Sequence, residues 1–212
     1  MDAEALLELG SPSLLVIEER TRREIVVGVP HHAPAGKAGL PCLEHQESDE
    51  NAGYLGRYLA EKLRCCSVIA CNYTIDSNKY FRSDYSMQIA SWNPKALIEI
   101  HGHNGRKAKH DIEISSGGSG SERHAGRLAD ALTAAFQATD ELRNVTVCGE
   151  YDGLYYKASD AVTISDGRWI GYHIELPPRL RKIMEGMDGK PPEIGYRFCD
   201  LLADAVQTIH RK

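Results

Sequence analysis

The stretch Ala96-Leu97-Ile98-Glu99-Ile100-His101-Gly102-His103 constrains the fold more than any other: a short apolar run that stops at two histidines. Apolar residues bounded by polar breakers over five or six positions read as a buried strand. A histidine where such a strand runs out sits at the carboxyl edge of an open α/β sheet, where that architecture binds its ligands. Upstream, Glu24-Ile25-Val26-Val27-Gly28-Val29-Pro30 runs into His31-His32 in the same way. Either pair alone is explained as ordinary loop histidines. Two strands that each end in histidine point to one metal site assembled from distant parts of the chain.

At 212 residues the chain is long enough for one α/β domain over 1–212, burying roughly 70% of its extended surface. Apolar residues make up 42% and charged residues 26%, a globular composition. The net charge of −5, with no basic cluster standing out, gives no support for a nucleic-acid partner. It leaves room for an anionic substrate, because a local cleft can be positive inside an acidic protein. The six cysteines show no CxxC pairing, and Cys65-Cys66 are adjacent, which argues against a disulfide framework. Met1-Asp2-Ala3-Glu4 is acidic and too few leucines follow it for a signal segment. No apolar stretch approaches the ~20 residues that cross a bilayer. A reducing, cytoplasmic home without a membrane partner is expected, and the oligomeric state is left open.

Leu14-Leu15-Val16-Ile17 and Ile25-Val26-Val27-Gly28-Val29 read as consecutive strands joined through a charged turn. Ser48-Asp49-Glu50 reads as a helix start, with Ser48 as N-cap and carboxylates in the first turn. Ala52, Leu55, Tyr58, Leu59 and Leu63 continue it at helical spacing. Further strands are expected at 67–71, 96–100, 110–114, 145–148 and 169–176, and helices at 85–92, 122–136 and 194–209. Strands alternating with helices predict a three-layer α/β/α sandwich with a mixed, mostly parallel central sheet.

Catalytic zinc takes three protein ligands, commonly His and carboxylate, and keeps one position open. The candidates are His31 or His32, then Asp49 or Glu50, then His101; helix capping is the competing explanation for the two carboxylates. Hydrolysis also needs a base. Glu175 fills that role best, because it interrupts the apolar strand Tyr172-His173-Ile174-Glu175-Leu176, where an unpaired carboxylate is costly to bury. Glu99 competes, but it lies two residues before His101 on one strand and fits a supporting partner. Asn72 to Arg82 packs donors, cations and aromatics directly after a strand, and suits an anionic, amide-bearing substrate. Asn78, Lys79 and Arg82 are its candidate contacts.

The order Val29-Pro30-His31, Asp49-Glu50, Ile75-Asp76-Ser77-Asn78-Lys79, the strand ending at His101, Gly153 in Tyr151-Asp152-Gly153-Leu154 and a late strand with Glu175 resembles the N-formylglutamate amidohydrolases. The resemblance runs from about residue 24 to the end. It implies a carboxypeptidase- and aspartoacylase-like fold and zinc-dependent hydrolysis of an amide next to a carboxylate. It places the first metal histidine on His31, with His32 as rival. The helix-start carboxylate falls on Asp49 or Glu50, the strand-end histidine on His101 and the general base on Glu175. In the family's Asp-x-Asn-Arg motif this chain has Asp76, Asn78 and then Lys79, and Cys71-Asn72 stand where the family has Ser-Arg. Lysine does not reproduce arginine's bidentate grip, so the resemblance implies the reaction class rather than formylglutamate as substrate. A small molecule or short peptide bearing a carboxylate is the expected partner, and zinc or another divalent ion the cofactor. The alternatives are a carboxypeptidase-like or γ-glutamyl peptide hydrolase, and a non-catalytic metal- or ligand-binding domain. His103 has no assigned role.

Overall fold

The structure, a computed structural model, describes residues 2–182 and 189–210, so Met1, 183–188 and 211–212 of the expected 1–212 domain lie outside it. Its strands are β1 (Leu14–Glu18), β2 (Arg22–Ala33), β3 (Asp49–Glu50), β4 (Cys65–Cys71), β5 (Ala96–Gly102), β6 (Ile112–Ser115), β7 (Val147–Cys148) and β8 (Ile170–Leu176). Its helices are α1 (Ala3–Leu7), α2 (Ala52–Leu63), α3 (Asp84–Trp92), α4 (Glu122–Gln137), α5 (Val162–Ser165), α6 (Pro178–Arg181) and α7 (Glu193–His210). The strands form one sheet in the order β1-β4-β2-β5-β8-β6-β7, with β3 attached to the end of β2. The central β4, β2, β5 and β8 are mutually parallel, while β1 and β6 run antiparallel to their inner neighbours. Helices α2, α4 and α7 pack on one face and α3 and α5 on the other, giving the predicted mixed α/β sandwich. Among the described residues, no helix is long and apolar enough to cross a membrane.

Two expectations need correction. β1 and β2 follow one another in sequence but are not neighbours, because β4 lies between them. All of β4 is buried, so it needs a strand on each side, whereas β1 carries the exposed Ile17 and suits an edge. The helix expected at Ser48 begins at Ala52 instead. Asp49 and Glu50 are extended and pair with His32 and Ala33, and Asn51, in the left-handed region at φ 64°, turns the chain into α2.

Side-chain alternation then divides the central strands into two faces. Ile98 and Ile100 of β5 and Tyr172 and Ile174 of β8 join the core under α2, α4 and α7. Glu99 and His101, and His173 and Glu175, take the opposite face. The β5–β8 register sets Glu99 beside His173 and His101 beside Glu175. Four ionisable groups thus meet at the carboxyl ends of two adjacent strands.

Gly28 of β2 stands beside Glu99 and makes room for the network behind the site. A Cβ there would fall 2.2 Å from Tyr85 Oη, the hydroxyl that donates to Glu99 Oε1 at 2.9 Å. Gly28→Ala is expected to lower Tm by about 2–12 °C, from an overpacking cost of about 1–3 kcal/mol. Thermal unfolding followed by circular dichroism checks this, and an unchanged Tm would show that Tyr85 is not held against Glu99.

Candidate metal centre

Three potential donor atoms converge where β2, β3 and β5 end. Asp49 Oδ2 lies 3.4 Å from His31 Nδ1 and 3.4 Å from His101 Nδ1. All three residues are buried. His31 Nδ1 and Asp49 Oδ2 have no hydrogen-bond partner. The other ring nitrogens are held from behind: His31 Nε2 by Asp76 Oδ1 at 2.8 Å, His101 Nε2 by Glu99 Oε2 at 3.3 Å. A carboxylate can only accept, so each Nε2 carries a hydrogen and each Nδ1 faces Asp49, where it holds a second proton or, once that proton is lost, offers its lone pair to a metal ion. Glu99 is itself fixed by Tyr85 Oη and by Asn78 Nδ2, which donates at 3.3 Å. Lys79 Nζ lies 3.0 Å from Asp76 Oδ2.

The electrostatics favour a positive charge at this point. Burial works against charge on both imidazoles. The carboxylates outweigh it, holding His31 above its ordinary pKa through Asp49 and Asp76, and lifting His101 to about 10 through Asp49 and Glu99. Burial likewise opposes ionisation of Asp49, yet the two imidazoles keep its pKa well below the carboxylate range. Ring protons or a metal ion can carry that charge. Two imidazole nitrogens and a carboxylate oxygen, buried and backed by carboxylates, are a donor set that fits zinc.

A cavity of about 590 Å³ opens onto these groups and is also lined by Glu175, His173, His45, Asp76, Asn78, Lys79, Tyr155, Tyr156 and Lys157. Glu175 is buried, its Oε2 has no hydrogen-bond partner, and its Oε1 lies 3.6 Å from His173 Nε2. Burial raises its pKa to about 7 against the opposing pull of His101. Burial keeps His173 far below its ordinary value, with the charge on His101 acting in the same direction, so its ring is neutral. His45 stacks on His31 with ring centroids 3.8 Å apart, and burial and the charge on His31 bring its pKa to about 4.

The structure thus brings His31, Asp49, His101 and Glu175 together with Asn78 and Lys79. It does not bring in His32, Glu50 or Arg82. His32 follows His31 on a strand and so faces the opposite way. Its Nε2 donates to Leu7 O at 3.0 Å and its Nδ1 accepts from Gly53 N at 3.1 Å, so both nitrogens are taken. Burial lowers its pKa to about 4. Glu50 accepts from Gly36 N at 2.6 Å and pairs with Lys182 at 3.3 Å, leaving the inward position to Asp49. Arg82 is exposed and does not line the cavity. Asn78 lines the cavity but donates to Glu99. His103 pins its own loop: Nε2 donates to Asp111 O and Nδ1 accepts from Gly105 N, each at 2.9 Å. His45 and His173 are additions. The position of His173 two residues before Glu175 on a strand was a usable signal, whereas His45 arrives on an irregular loop with none.

Removing a carboxylate behind either imidazole is expected to weaken zinc binding about 10–100-fold. Competition titration with a chromogenic chelator on Asp76→Asn and Glu99→Gln checks this, with Glu50→Gln expected to bind as the parent does. Equal loss in Glu50→Gln would place the ligand set elsewhere.

No family model matches the sequence, and no curated protein matches it. In structure the chain is similar to a bacteriophage poly-gamma-glutamate hydrolase, with 10% identity over 98% of this chain and 94% of that one, TM-score 0.63. It is similar to the protein solved as YNDL in its zinc-free apo form, with 14% identity over 96% and 93%, TM-score 0.59. It is also similar to an N-formylglutamate amidohydrolase from Ralstonia eutropha JMP134, with 12% identity over 92% and 96%, TM-score 0.54. The family that the motif order resembles is therefore among the structures that share this chain's α/β fold.

Proposed function

We propose that residues 1–212 act as one domain that hydrolyses an amide next to a carboxylate, with zinc or another divalent ion held by His31, Asp49 and His101 and with Glu175 as general base. The convergence of two imidazole Nδ1 atoms on one unbonded Asp49 oxygen, at the mouth of a cavity that also exposes Glu175, carries this reading. A bound divalent ion supplies a Lewis acid that polarises the scissile carbonyl and makes water more acidic.

The chain's own residues supply the rest. Glu175 Oε2, buried and without a hydrogen-bond partner, accepts the proton from water and passes it to the leaving nitrogen; a base poised near neutral pH suits both transfers. His173 is neutral at its side, with Nε2 3.6 Å from Oε1. Lys79 and Lys157, which both line the cavity, offer cations for the substrate carboxylate. The named activities of two structural relatives concern glutamate-containing substrates, which supports an N-acyl amino acid or a γ-glutamyl peptide as substrate. The six unpaired cysteines fit a reducing, cytoplasmic setting.

Turnover of a panel of N-acyl glutamates and γ-glutamyl peptides by the zinc-loaded protein is the test. Glu175→Gln is expected to keep its zinc and to lose about 10²–10⁴ in kcat. Full activity in that variant removes Glu175 from the mechanism. Zinc binding with no turnover of any member by the parent supports the non-catalytic alternative instead.

A further inference from the structure

A second cavity of about 710 Å³ is formed by loop 103–111 with Thr146 and residues 177–179, and its lining residue His103 stacks on Tyr156 of the first cavity. Loop 103–111 contains Arg106-Lys107-Ala108-Lys109-His110, a basic run that corrects the expectation of no basic cluster along the chain. Arg106, Lys109 and His110 line the cavity, and Lys107 Nζ stands 5.6 Å over the Tyr155 ring that lines the first one. Arg179 is neutralised by Asp111 at 2.9 Å. Among the described residues, Arg106, Lys107 and Lys109 have no acidic partner.

A run of surface cations is ordinarily a solvated loop, but this one is fixed to the hydrolytic site. The fully buried Glu113 accepts Lys109 N at 2.7 Å with Oε1, and Tyr155 N and Tyr156 N, each at 2.8 Å, with Oε2. One carboxylate therefore clamps the basic loop and the cavity wall together. The His103 ring stacks on Tyr156 with centroids 5.7 Å apart, and Arg181, buried at 1% exposure, donates to His103 O at 2.9 Å. Asn104 Nδ2 donates to both oxygens of Glu47, at 3.1 and 3.0 Å, which anchors the start of the loop to residue 47. The backbone that carries Arg106, Lys107 and Lys109 is thus anchored beside the first cavity, with their side chains exposed.

We propose that this basic cavity is a second substrate site, which takes a carboxylate-bearing segment of an extended substrate beyond the scissile amide. Its place in catalysis rests on the proposed hydrolase reading; its binding does not. Several cations meeting a polyanionic segment give an affinity that falls with salt.

The test is fluorescence anisotropy with labelled oligoglutamate and oligoglutamine peptides of equal length, using the full chain with Glu175→Gln to prevent cleavage. Oligoglutamate is expected to bind, to weaken as salt rises, and to lose about tenfold or more in affinity when Arg106 and Lys109 are both changed to Glu. Arg106→Gln with Lys109→Gln gives a smaller loss and serves if charge reversal lowers Tm. Unchanged affinity in the folded variants overturns the proposal. So does equal binding of oligoglutamine, or equal competition by a single-stranded oligonucleotide of the same charge. Zinc content, measured on the same samples, separates the two readings: its absence counts against the hydrolytic centre while the peptide comparison still decides the second site.

Discussion

Two carboxylates behind two imidazoles determine what this site can be. Asp76 and Glu99 each take an Nε2 hydrogen, and each thereby turns an Nδ1 toward the same oxygen of Asp49. Ionised groups removed from water cost several kcal/mol each unless they are paired and hydrogen-bonded. The structure meets that demand with Tyr85 and Asn78 on Glu99, Lys79 beside Asp76, and a glycine at position 28 where any larger residue would push Tyr85 away. The position of Asp49 has its own supports. Asn51 donates to Arg181 O at 3.1 Å, and the Arg181 guanidinium donates to Glu50 O at 3.1 Å, so the short strand carrying Asp49 is held from both sides.

The parallel strands make this arrangement possible. Each central strand gives alternate residues to an apolar core and to a polar edge. The helices on one face need only the isoleucines and Tyr172, which frees Glu99, His101, His173 and Glu175 to gather on the other. Glu113 follows the same rule on β6, and its placement one strand beyond Glu175 lets it organise the loops that wall the cavity. The fold thus separates the residues that hold it together from those that hold charge.

That separation also explains how much was legible in the sequence. His101, Glu99 and Glu175 stood out because they interrupt or end apolar runs, and strand periodicity alone puts them on one face. The same periodicity admits only one member of His31-His32 to the site, but which one depends on the face that packs against α2, a tertiary fact. Asp49 and Glu50 resembled a helix start because Ser48 is a good cap. The left-handed turn at Asn51 delays the helix and makes the pair a strand, so that Asp49 points inward and Glu50 outward. His45 and the clamp made by Glu113 depend on loops brought together from far apart, and carry no local pattern. The run 106–110 was present in the sequence but was averaged away by the overall charge.

Two imidazoles and a carboxylate would hold a divalent ion here, although the six cysteines offer a softer alternative. X-ray absorption at the zinc edge of the reconstituted protein tests this most directly. A first shell of nitrogen and oxygen at about 2.0–2.2 Å with the multiple-scattering signature of two imidazoles is expected. A sulfur shell at about 2.3 Å, or a first shell with a single imidazole, would contradict it.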